Sequence, residues 1–323
     1  MKVIITGATG FIGRSLVEEL LENNYEVKVL VRTKGKVPQW EGRVQEVQGD
    51  ILDYDSLEKA FKGLDGVFHL AGVISTLKKD EKFMYDINFV GSKNVFEAAL
   101  KNNITNFLFL ASIFALGTGT KDKPANEEID YNLGNLDIAY FKAKRLGELE
   151  SYEYLKRGLP IKYVYPTFCV GPGDIYISSQ RLIVDFLNGK LPATIRGGYN
   201  AIDVRDTAKG LRLGYEKGKI GEKYLVGGEN ITYIDFLKRL GKLTGKNPPR
   251  LVTPKFLLKP TALIMEKVMK NPLVDWGTAL MAGYHWYYDD SKARKELGHT
   301  SRSLDESIND AVSWFRDNGY IKK

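Results

Sequence analysis

Residues 2 to 13 read KVIITGATGFIG, a short β-type apolar run, Lys2 to Thr6, that passes directly into three glycines spaced three apart, Gly7, Gly10 and Gly13. Helical periodicity begins at once, near Phe11. Gly7 has no Cβ and can make the tight turn. Gly10 lets the backbone approach a ligand closely, and Gly13 lets helix pack against strand. The turn residues Thr9, Phe11 and Ile12 then sit at the positive, amide-bearing end of the helix, where a pyrophosphate is stabilised. The stretch predicts a dinucleotide-binding turn. A phosphate loop of the Gly-Lys-Ser/Thr kind is excluded, because no such triplet follows.

Outward from that turn, β-rich runs alternate with helical patterns. The runs are 2–6, 25–31, 43–48, 66–71, 106–111 and 161–166, and the helices 11–23, 55–62, 82–102 and 138–157 lie between them. Alternation of this kind predicts right-handed crossovers and a parallel sheet covered on both faces, an α/β doubly wound parallel sheet (Rossmann fold). Residues 1–166 are expected to form the NAD(P)-binding domain. Beyond Pro166 the order weakens: 167–205 and 245–290 read as irregular, 206–244 and 291–318 as helical. Residues 167–323 are expected to form a smaller C-terminal substrate lobe, interleaved with returns to the main domain.

Ligands of such sheets bind at the carboxyl ends of the strands, so the residues just past each run are the candidates. After the second run comes Arg32, with Lys34 and Lys36, where an NAD-selective protein usually has a carboxylate for the ribose hydroxyls. A guanidinium instead pairs with a 2′-phosphate, so the cofactor expected is NADP, with NAD possible. These cations could equally be plain loop charges. After the third run, Asp50 and Ile51 are placed at the adenine, although an Asp there could also begin the next helix. After the fourth come Leu70, Ala71 and Gly72, small enough at the last two positions for the cofactor's ribose side to lie on the backbone.

Tyr140 and Lys144 stand at i and i+4 in a helical stretch, so both project from one face. A phenol with an ordinary pKa near 10 is a poor proton carrier at neutral pH; an ammonium beside it, with an oxidised nicotinamide, is expected to bring it toward the working range. Ser112, just past the fifth run, is placed to orient a substrate carbonyl toward Tyr140, or simply to form a turn.

Taken in order, TGATGFIG, GDILD, HLAG, INFVGSKNVFEAA, LASIFALG, YFKAK, YPTFCVGPGD, DVRDTAKG and SKARKELG make the chain resemble, over almost its whole length, the extended short-chain dehydrogenase/reductase (epimerase/dehydratase) family. Its look is nearest the dihydroflavonol reductase and 3β-hydroxysteroid dehydrogenase branch. The resemblance implies that Ser112, Tyr140 and Lys144 are the catalytic residues and that Pro166 and Thr167 meet the nicotinamide. It places Asn88 near the catalytic serine, unless Asn88 ties its helix to a neighbouring loop. It implies an NADP-dependent oxidoreductase acting on a secondary alcohol or ketone, and a homodimer formed through 82–102 and 138–157. The alternatives are a nucleotide-sugar epimerase or dehydratase and a non-catalytic dinucleotide sensor. In the sugar-nucleotide members an arginine grips the substrate pyrophosphate; here Tyr199 occupies that place, with Arg196 nearby.

Composition fits this reading. The 323 residues carry 47 basic against 40 acidic side chains, a net charge of +7, which is modest for the length and excludes neither a solvated lysine surface nor an anionic cofactor. No nucleic-acid partner is expected. The one cysteine, Cys169, allows no intrachain disulfide, and the three histidines show no metal spacing, so no metal is expected. No apolar run approaches a membrane span and no signal segment is read, so the expected setting is the cytoplasm, without a membrane partner and with a small-molecule substrate. The aromatic run 284–288, with Phe168 and Tyr176, reads equally as core or as substrate pocket.

Overall fold

The computed structural model describes residues 1–35, 37–177, 179–269 and 272–321. Lys36, read above beside Arg32, lies outside the described residues.

The amino-terminal part runs β1 (Lys2–Thr6), α1 (Phe11–Glu22), β2 (Glu26–Val31), β3 (Gln45–Gln48), α2 (Tyr54–Ala60), β4 (Gly66–His69), α3 (Glu81–Tyr85), α4 (Gly91–Lys101), β5 (Asn106–Leu110), a short α5 (Ile113–Leu116), α6 (Ala139–Lys156) and β6 (Ile161–Pro166). These bounds follow the periodicity closely. The exception is 82–102, read as one helix. It is interrupted between α3 and α4 by a π turn, Asp86–Val90, in which the Gly91 amide reaches back to the Asp86 carbonyl. Asn88 lies inside that turn.

Seven strands form one parallel sheet in the order β10-β6-β5-β4-β1-β2-β3, with β10 (Lys223–Val226) returning from the carboxyl half. The order reverses between β1 and β4, the crevice where such sheets bind ligands. Both faces of the central strands β1, β4 and β5 are buried, which is why these read as apolar runs. Along β1, Val3 and Ile5 pack on one side with Leu16, Val17 and Leu20 of α1, whereas Ile4 packs on the other with Val95 and Phe96 of α4.

The remainder comprises β7 (Phe168–Val170), α7 (Arg181–Leu187), β8 (Ala193–Thr194), β9 (Gly198–Asp203), α8 (Val204–Lys217), β10, β11 (Glu229–Thr232), α9 (Tyr233–Thr244), β12 (Leu251–Val252), α10 (Lys255–Val268), α11 (Trp276–Met281), β13 (His285–Trp286), α12 (Ser291–Leu297) and α13 (Leu304–Asp317). Two readings are corrected here. Residues 206–244 are not helical throughout, since β10 and β11 lie within them. And 245–290 is not irregular: α10 runs 14 residues through Pro260. Strand β9 gathers β7, β11 and β13 into a second, smaller sheet. Helix α8 packs under β5 and β6 beside α1, its start held by the Asp203 carboxylate, which accepts from the Arg205 amide.

Candidate functional site

The glycine turn closes tightly. Gly7 has φ of +77°, and a Cβ there would stand 2.7 Å from the Ala71 amide nitrogen; one on Gly13 would stand 2.2 Å from the Gly7 carbonyl oxygen. Gly10, by contrast, has an ordinary φ of −76° and begins α1, which has neither a side-chain cap nor an acidic residue in its first turn. The first-turn amides, those of Phe11 and Ile12 included, are therefore presented without a side-chain partner, as a pyrophosphate requires. Thr9 is half-buried and its carbonyl accepts from Arg14 Nε at 3.1 Å.

Leu70 and Ala71 lie against Gly7, and buried Ile51 lies against Gly91 of α4. Asp50 does not begin the helix; Asp53 caps α2, while Asp50 Oδ1 accepts from the Leu52 amide at 2.9 Å. Arg32 is exposed, and it and Lys34 make no ion pair among the described residues. The donor set, the missing Cβ atoms and the uncapped helix fit a dinucleotide.

Beneath the turn runs a hydrogen-bonded chain that the sequence did not announce. Thr6 Oγ1 is 2.7 Å from His69 Nδ1, His69 Nε2 is 3.0 Å from Ser92 Oγ, and Ser92 donates to the Asn88 carbonyl at 2.9 Å. Since Ser92 spends its proton on Asn88, His69 must donate through Nε2 and accept from Thr6 at Nδ1, which leaves Thr6 Oγ1 to accept the Ala71 amide at 3.2 Å. Every proton points the same way. Burial, reinforced by the Lys144 charge, pushes His69 down to about 3, so the ring stays neutral. The only advance signal was a histidine at the end of a central strand.

The Asn88 side chain clamps the loop after β4, donating to the Val73 carbonyl at 2.9 Å and accepting the Val73 amide at 3.2 Å. It also donates to the Met84 carbonyl at 3.1 Å, one turn back. A Cβ on Gly72 would stand 2.9 Å from Asn88 Oδ1 and 3.3 Å from Lys144 Nζ, so these three meet at one point.

Ser112, Tyr140 and Lys144 are all buried, at 6 %, 6 % and 8 % exposure. Ser112 Oγ caps α5 by accepting the Phe114 amide at 3.3 Å, and its side chain lies beside the Tyr140 phenol. Burial pushes Tyr140 up to about 12, with only the Ser112 hydroxyl opposing. The expected lowering by Lys144 is therefore not seen in the protein by itself, because the cost of burying a phenolate dominates. Burial brings Lys144 down to about 8, while Glu148 one turn further along pulls it back up, so it keeps its proton at pH 7. Glu148 was missed by the sequence reading, though it continues the Tyr140, Lys144 face. It is wholly buried and accepts from Tyr152 at 2.5 Å and Lys223 at 3.1 Å. Pro166 closes β6, and Thr167 is tied away through its hydroxyl to Asn200 Oδ1 at 2.8 Å.

Residues 3–227 match the NAD dependent epimerase/dehydratase family. The chain belongs to that family, and is an enzyme of the extended short-chain dehydrogenase/reductase type. A Synechocystis protein named provisionally as a dihydroflavonol 4-reductase is 34% identical over 98% of this chain and 95% of its own. Sterol demethylase protein B of Methylococcus capsulatus is 30% identical over 99% of this chain and all of its own. Among solved structures, the crystal structure of gox2253 superposes with a TM-score of 0.87 at 32% identity, covering 99% of both chains.

In this epimerase/dehydratase-family chain the aromatic run divides between core and site. Trp286 is buried with its ring 5.1 Å from Phe114, whose own ring is 5.8 Å from Tyr140. Tyr284 stacks on Trp286 at 5.4 Å, whereas Tyr288 is buried and donates to the Gly117 carbonyl at 2.8 Å. Tyr176 is exposed. Tyr199 is a packing residue whose ring lies between Phe168, Tyr233 and Phe236; Arg196 is exposed just before β9. Cys169 is buried, and burial pushes its thiol up to about 12. Among the described residues no group of acidic, histidine and cysteine side chains could hold a metal.

Proposed function

We propose that the chain is an NADP-dependent oxidoreductase acting between a secondary alcohol and its ketone, with Tyr140 the proton donor and acceptor. The observation that carries this is the burial of the Tyr140 phenol beside Ser112, one helical turn from Lys144 and beside the glycine cradle. Bound at the cradle, the nicotinamide cofactor supplies the hydride. The protein's part is geometry and charge. Tyr140, protonated at working pH, gives its phenolic proton to the oxygen of a ketone under reduction, the direction its raised pKa favours. Ser112 Oγ orients that oxygen, and Lys144, cationic at neutral pH, offers its ammonium to the cofactor ribose and to the phenolate left behind. Asn88 holds the loop that Lys144 faces. Arg32 and Lys34, without carboxylate partners among the described residues, support the 2′-phosphate. Tyr199 in place of an arginine weighs against a nucleotide-sugar substrate.

Changing Tyr140→Phe is expected to lower turnover of a ketone panel by about two to four powers of ten while NADPH binding, read by fluorescence, stays nearly intact. Unchanged turnover would remove Tyr140 from the mechanism. Stoichiometric nicotinamide released on denaturing the purified protein, without net NADPH consumption, would instead favour an epimerase.

We further infer a homodimer through α3 and α6, where Phe83, Tyr85, Leu146 and Leu149 are between 39% and 51% exposed. A cytoplasmic setting accords with a single buried cysteine.

A further inference from the structure

Helix α10 is built inside out relative to an ordinary surface helix. Its inward seam is small: Leu258 and Ala262, four apart, meet Ala279 and Ala282 in a cluster of four buried residues. Its outward face carries the large apolar side chains. Phe256 is 76% exposed, Ile264 63% and Val268 75%, with Leu257, Leu263 and Met269 also open. At 3.6 residues per turn Phe256, Leu257, Leu263, Ile264 and Val268 form one contiguous arc interrupted only by Pro260 and Lys267. An exposed apolar surface of this extent marks an interaction site.

Charge identifies what covers it. Between residues 245 and 274 there are six basic residues against one acidic, Glu266, so this segment holds most of the chain's net charge of +7. The one carboxylate is turned inward, accepting the Trp276 amide at 2.7 Å. Lys255 and Lys259 flank the apolar arc on one side, their ammonium groups over the rings of Tyr284 and Trp276 at 5.5 and 5.7 Å. Trp276 itself is half-buried, an aromatic at the border between apolar face and cations. A protein partner would need a carboxylate-rimmed apolar groove; an anionic bilayer meets every one of these features without special shape.

We propose that α10 is a membrane-surface docking helix, its apolar face set into the acyl boundary and its flanking cations on anionic lipid headgroups. No helix among the described residues is long and apolar enough to cross a membrane, so the contact is one of lying on the surface. The hairpin of α10 and α11 is braced from the catalytic side. Asp275 accepts from Thr76, in the loop after β4, at 2.5 Å, and Lys255 covers Tyr284, which stacks on Trp286 near Tyr140. The proposal does not depend on the reaction assigned above.

The test is flotation of the full-length protein with vesicles of equal parts phosphatidylglycerol and phosphatidylcholine, and with phosphatidylcholine alone. Wild type is expected to float with the anionic vesicles, less so as salt rises, and to bind the neutral ones at least about tenfold more weakly. The pair Phe256→Ser with Ile264→Ser, both well exposed, is expected to abolish flotation with an unchanged thermal melt. The pair Arg250→Glu with Lys259→Glu, which leaves the apolar face alone, is expected to weaken anionic binding only. Absence of flotation, or flotation indifferent to both pairs, overturns the proposal. So does a wild-type assembly in solution that the serine pair dissociates, which would make the face a contact between copies of this chain.

Discussion

Tyr140, Lys144 and Arg32 illustrate how far single residues can be read. The i, i+4 spacing was enough to put phenol and amine on one helical face, and both lie there, buried. Their ionisation was not legible, because the cost of burial depends on what surrounds them: a phenol pushed up to about 12 and an ammonium brought down to about 8 are properties of a packed interior. Nor could the His69 chain be read, since its members, Thr6, His69, Ser92 and Asn88, come from four separate elements. Arg32 is the residue whose role is most open to direct measurement. Exposed, and without an ion pair among the described residues, it can be replaced without disturbing the core. Arg32→Asp is expected to shift the ratio of NADPH to NADH affinity toward NADH by roughly tenfold or more, as a charge-assisted phosphate contact becomes a repulsion. Equal ratios in the two proteins would show that the 2′-phosphate lies elsewhere.

At the scale of elements, the first strand, turn and helix were legible because each glycine has a distinct steric reason. Gly13 is the sharpest case. Its Cβ would fall 2.2 Å from a carbonyl oxygen, in backbone that cannot step aside, whereas a Cβ on Gly134 would meet nothing nearer than 3.9 Å and has no positive φ to resist. Gly13→Ala should therefore destabilise the fold by about 1–3 kcal/mol or more, by forcing α1 off β1, while Gly134→Ala should be close to neutral. Paired thermal melts decide this; similar melts would mean that α1 is looser on β1 than its contacts indicate. The π turn at Asp86–Val90 was hidden because one extra residue leaves the apolar spacing on either side nearly intact. β10 was hidden because a four-residue strand among helical patterns offers too short a period to detect, and α10 because Pro260 and outward apolar residues imitate an irregular segment.

At the scale of the molecule, the alternation that revealed the doubly wound sheet says little about the carboxyl half, whose small sheet is assembled around β9 from strands of two to six residues. Ordering there comes from long-range ties such as Asn200 to Thr167 and Arg302 to Asp206, which no local pattern encodes. Assembly of two copies belongs to the same scale. Leu149→Glu with Phe83→Glu, on α6 and α3, is expected to convert a dimer to a monomer in light scattering, because two carboxylates would be buried against their symmetry mates. A mass unchanged from a wild-type dimer would place the interface on another surface. The seventh strand carries a consequence for biosynthesis. Since β10 lies outside β6 at the rim of the large sheet, a nascent chain that has emerged only through Pro166 leaves that rim unpaired and open to sticking. Translation has to reach Val226 before the nucleotide-binding layer can be sealed.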